Sequence, residues 1–177
     1  YDSAGIFTSY WDLSPEARRQ KLLPFFWGTI AKQGQLYGNR KYGNKIDNAN
    51  PYWFSYPGYS EILTGHVDTL INSNEYPPNP HKTILEYYNQ LPAYKGKVAA
   101  FAAWDAFDRI INEKRAALPV INAFDDNSVA STDPQMKLLN DMVRTSFRPW
   151  GNVECLDVFT HYQAIDELKN KKPKVLY

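Results

Sequence analysis

Three short apolar runs, Lys97–Phe101, Leu118–Ile121 and Lys174–Tyr177, are separated by stretches with helical spacing and helical caps. This alternation constrains the fold more than any other feature of the chain. Runs of four or five residues are too short for core helices and suit buried strands. Strands joined through helices pair in parallel, because a tight hairpin cannot connect parallel neighbours. The expected class is α/β, with a central, mostly parallel sheet and helices on both faces.

The remaining elements follow from local signals. Ser14-Pro15-Glu16 is a helix start, and Pro24 ends or kinks that helix. A second helical stretch, Phe25 to Lys32, closes at Gly34, and Gln35–Tyr37 is a short strand candidate. The segment from Gly38 to Pro51, rich in Asn and Gly, is a long polar loop. Short helices are expected over 59–63, ending at Gly65, and over 83–90. Further helices are expected over 105–114, from Asp133-Pro134 to about Arg144, and over 154–171. The last would be capped by Asn152, with Leu156, Phe159, Ala164, Ile165 and Leu168 on its apolar side.

Composition excludes several classes. Lys plus Arg number 20 against 19 Asp plus Glu, and no basic block is dense enough for a nucleic-acid footprint. No apolar run approaches the length of a membrane span. The lone Cys155 leaves no internal disulfide and no cysteine metal cage. Aromatic residues reach 15%, which fits a ring-rich core or a stacking surface, with Trp104 and Trp150 read as packing residues. The chain opens on Tyr1-Asp2-Ser3 and stops at the start of an apolar run. The expectation is one partial domain over residues 1–177, truncated at both ends.

Chemistry concentrates in Ser55-Tyr56-Pro57-Gly58-Tyr59-Ser60-Glu61-Ile62-Leu63-Thr64-Gly65. A serine just before a Pro-initiated helix lies at its positive end, where unpaired N–H groups favour an anion such as phosphate. Ser55 is then either a nucleophile awaiting activation or a structural cap. Tyr52, Trp53 and Tyr59 flank it and either shape a leaving-group pocket or pack beneath the loop. Asp105, Asp125 and Asp126 read as a helix start and a solvated loop. His66, His81 and His161 share no ligand spacing with one another.

The same segment resembles the nucleophile element of the alkaline-phosphatase superfamily, which includes nucleotide pyrophosphatase/phosphodiesterases, sulfatases and cofactor-independent phosphoglycerate mutases. Ser55, Pro57, Thr64 and Gly65 keep that element's order and spacing. Phe25-Phe26-Trp27 through Gly34, Lys97–Phe101 to Trp104-Asp105, and Lys172–Tyr177 extend the resemblance to alkaline-phosphatase-like proteins labelled phosphoglyceromutase. Tyr59 stands where sulfatases carry Arg, which counts against that branch.

The resemblance implies a metal-dependent phosphate-ester hydrolase. Ser55 would be both the catalytic nucleophile and a metal ligand, passing through a phosphoserine intermediate. Two divalent ions, zinc by resemblance, would be completed by ligands outside this chain, which alone would hold no tight metal pair. Ile71-Asn72-Ser73-Asn74 resembles the stretch in which an Asn donates to a phosphate oxygen, so Asn74 is the substrate-binding candidate, with an ordinary turn Asn as its alternative. The implied partner is a small-molecule phosphate ester, and the implied location is secreted or periplasmic. Mutase-like phosphotransfer and a non-catalytic scaffold are the alternatives.

Overall fold

The computed structural model describes residues 12–125 and 133–177. Asp126 and the Tyr1–Ser3 start fall outside them. The chain forms two compact units, Tyr1–Asp47 and Asn48–Tyr177.

In the first unit, α1 (Pro15–Leu22) starts as the sequence predicts. Ser14 caps it by accepting from Ala17 N–H, and Pro15 takes the first helical position. A single π-helical turn, Phe26–Ile30, leads into α2 (Ala31–Gln33), which ends at Gly34. The strand expected over 35–37 does not form. No partner strand lies beside it among the described residues of this unit, and an unpaired strand leaves its amides without acceptors. Arg40–Tyr42 is instead a turn of 3₁₀ helix within the polar loop.

The second unit carries the sheet. α3 (Ser55–Thr64) is longer than expected, and Gly65 terminates it at φ 64°. α4 (Ile84–Gln90) is capped by Thr83, whose hydroxyl accepts from Glu86 N–H. β1 (Val98–Ala102) is buried throughout, as a strand between two parallel neighbours must be. The single helix expected over 105–114 is two: α5 (Phe107–Ile111) and α6 (Glu113–Ala116). Asn112 at φ 56° separates them. Its left-handed backbone breaks the ladder, while its side chain accepts from Arg115 N–H and restarts the helix. β2 (Val120–Asn122), α7 (Pro134–Thr145) and α8 (Asp157–Asn170) follow, and β3 (Val175–Leu176) closes the order.

The three strands pair in the order β2-β1-β3. Both pairings are parallel, with Ala100 opposite Val120 and Val98 opposite Val175. An α/β class with a small parallel sheet is therefore established. The core packs Tyr56, Ile71, Ile110, Ile111 and Val120 against β1. Among the described residues no helix is long and apolar enough to cross a membrane.

Two sequence expectations change at α8. It begins at Asp157, and its N-cap is Leu156 without a side-chain bond. Asn152 caps nothing there, because Glu154 is drawn into an antiparallel bridge with Trp104. Of the predicted apolar set only Phe159 is fully buried; Gln163 and Glu167 share the buried face with it, and Leu156 and Leu168 are exposed. The polar members are satisfied: Gln163 donates to the Asp125 carbonyl at 3.1 Å, and Glu167 pairs with Lys171 at 2.9 Å. Trp150, expected to pack, is 55% exposed.

Candidate functional site

A cleft of about 570 Å³ opens where the carboxyl ends of β1 and β3 meet the amino ends of α3 and α8. The parallel pairing makes such a place, since all strands deliver their carboxyl ends to one edge. Ser55 and Asn74 both line it, together with Tyr59, Trp104, Glu154 and Tyr177.

Ser55 is the first residue of α3 and is exposed, whereas Tyr56 and Pro57 behind it are buried. Phe54, in extended conformation, supplies no side-chain cap. That task falls to Asn74, whose Oδ1 accepts from Tyr56 N–H at 2.9 Å. The donor is an amide, so the Asn74 atom facing it must be the oxygen, and Nδ2 is left as the group that can donate elsewhere. The two candidate residues, 19 positions apart, thus meet at one helix end. Tyr56 anchors that end: its hydroxyl donates toward the Pro77 and Arg109 carbonyls at 2.9 and 3.0 Å, and burial pushes its pKa well above the usual tyrosine range.

The helix end is a sparser anion site than the sequence suggests. Pro57 has no N–H and the Tyr56 N–H is taken by Asn74. The donors left to face an anion are the Ser55 N–H and Asn74 Nδ2.

The aromatic residues divide. Tyr59 lines the cleft and meets Phe107 edge-on at 4.8 Å. Tyr52 instead donates its hydroxyl to the Thr69 carbonyl at 2.7 Å, and Trp53 is fully exposed. Sequence reasoning missed Phe107, Glu154, Asp157 and Tyr177 as cleft residues, and it gave Trp104 only a packing role. They come from three distant segments and carry no local motif. Burial raises the Tyr177 phenol above its ordinary range.

Asp105 does not start α5, whose N-cap is Ala106 with no side-chain bond; burial raises its carboxyl. Asp125 is exposed and accepts from Asn122 N–H at 3.2 Å. The histidines are less scattered than their spacing implied. His66 and His81 meet with tilted rings, their centroids 4.4 Å apart, and His81 Nε2 bonds Asp68 Oδ2 at 2.7 Å. The bond from His81 is the main reason Asp68 lies below the usual carboxylate range. His161 is exposed on α8 beside Tyr162.

For a metal pair, Ser55 offers one oxygen, with the carboxylates of Glu154 and Asp157 in the same cleft. Among the described residues no group of three or more His, Cys, Asp or Glu side chains is arranged to hold a metal ion. No family model, no curated protein and no solved structure matches this chain.

Proposed function

We propose that this chain carries the nucleophile side of a phosphate-ester hydrolase of the alkaline-phosphatase superfamily. In this reading the sheet is the centre of a larger layered domain with helices on both faces. The protein is secreted or periplasmic, and two divalent ions, zinc by resemblance, belong to the complete site. The observation that supports it is the meeting of Ser55 and Asn74 at one helix end inside the cleft.

Ser55 Oγ attacks phosphorus in line, the new Oγ–P bond forms, and the ester oxygen leaves with the bonding pair. The positive end of α3 favours the oxygen as it loses its proton, which passes to solvent through the open cleft. Asn74 Nδ2 and Ser55 N–H donate to the phosphoryl oxygens as their charge grows. Water then cleaves the phosphoserine ester. Mutase-like transfer differs only in the acceptor that replaces this water. A non-catalytic binding role draws support from a cleft lining without Lys, Arg or His among the described residues.

The test is turnover of p-nitrophenyl phosphate by the full-length protein with zinc supplied. Ser55→Ala should lower kcat by about 10³-fold or more with an unchanged circular dichroism spectrum. Retained activity removes Ser55 as nucleophile, and activity lost together with the fold makes it a structural cap.

A further inference from the structure

The same cleft carries a second chemistry that the phosphate reading does not use. Phe107 is a hub of rings, with Tyr59 at 4.8 Å, Tyr177 at 5.7 Å and Trp104 at 6.3 Å, and all four residues line the cavity. Two carboxylates join them. Glu154 is fixed by its backbone bridge to Trp104, and Asp157 is the first residue of α8. Asp157 also suits the positive end of its own helix, so Glu154 and the rings carry more of the argument.

This lining is electrostatically one-sided. Two acids and no cationic side chain among the described residues repel a bare phosphate. A substrate that brings its own positive charge reverses that sign. Ring faces attract cations through their quadrupole, and aromatic walls with nearby carboxylates are the arrangement that recognises substituted ammonium groups. The cavity volume suits a small ligand.

We infer that the cleft selects phosphate esters of cationic amino alcohols, with the phosphate at Ser55 and Asn74 and the ammonium against Tyr59, Trp104 and Tyr177, which buried Phe107 supports from behind, beside Glu154 and Asp157. This rests on the proposed phosphate site, and it makes Glu154 and Asp157 specificity-determining residues.

Two measurements on the full-length protein keep the two readings apart. The first is calorimetric binding of choline and of its neutral carbon isostere, 3,3-dimethylbutan-1-ol, with EDTA present. Choline should bind at least about 10-fold more tightly, and E154Q/D157N should erase the preference. Equal affinities, no choline binding, or a preference that survives in the variant overturns the inference. The wild-type comparison stands alone if the variant does not fold. The second is turnover of phosphocholine against 3,3-dimethylbutyl phosphate. Equal rates overturn the inference and leave the Ser55 reading intact. A choline preference without turnover of either ester removes the hydrolase and leaves the cation pocket.

Discussion

In the proposed site Asn74 has two tasks, one at each end of its amide, and the donor can be removed while the cap is kept. Oδ1 caps α3 through Tyr56 N–H at 2.9 Å, and Nδ2 is the donor offered to a phosphate. Asn74→Asp keeps an acceptor for the cap and places negative charge at a helix amino end, so stability should hold. It also replaces the donor by a repelling oxygen, so kcat/KM on an aryl phosphate should fall by about 10²–10³-fold. Asn74→Ala loses both functions and should cost about 1 kcal/mol of stability as well. Thermal melts beside kinetics check the pair. An Asp variant with full activity would show that the amide is a cap and nothing more.

Element positions are set by polar ties between segments distant in the chain. Glu86 on α4 is buried and receives Arg115 of α6 through Nε and Nη2 at 2.9–3.2 Å. Arg115 also donates to the Asn79, Pro80 and His81 carbonyls. Arg115→Ala strands a buried carboxylate and should destabilise the second unit by about 2–3 kcal/mol in urea unfolding. That lies below the roughly 3–5 kcal/mol of a fully buried pair, because Arg115 is 35% exposed. A loss under 0.5 kcal/mol would mean that water reaches Glu86 freely.

Glu61 ties α3 to the preceding loop. It accepts from Ala49 N–H at 2.7 Å, and from Asn50 N–H and Nδ2 at 3.1 and 2.7 Å. Burial alone would raise this carboxyl, but the three donors outweigh it and hold it below its ordinary 4.5. A depressed folded value means the tie is in place above pH 4.5 and is lost as pH falls through the lower folded value. Amide exchange at Ala49 and Asn50 should accelerate in that window, ahead of the β1 amides. Protection that persists until global unfolding would count against the tie.

At the scale of the whole molecule, the second unit encloses its own core around β1, while α1, the π turn and α2 contain no buried residue. Residues 48–177 expressed alone should therefore melt cooperatively, with a Tm within about 5 °C of the whole chain, a shift worth about 1 kcal/mol or less. A broad, non-cooperative melt would show that the first unit is needed for the fold.

Local signals gave much of this architecture directly: the Ser14 and Asp133 caps, the strands near 98–102 and 175–176, the Gly65 stop and the parallel pairing. They are legible because capping, backbone freedom and apolar run length act within a few residues. Ser55 and Asn74 were legible as candidates on the same scale, the first from its helix-start chemistry and both from resemblance.

Tertiary structure decided the rest. It split the helix at Asn112, turned Gln163 and Glu167 inward on α8, and released Trp53 and Trp150 to solvent. It also brought His66, Asp68 and His81 together and set the ring cluster and Glu154 in one cleft with Ser55. Each outcome depends on a partner far along the chain, supplied only when the sheet forms: a carbonyl for Gln163, a bridge for Glu154, Phe107 for Tyr59. Sequence spacing records the chemistry a residue brings, while the pairing of β1 with β2 and β3 determines which residues share a cleft.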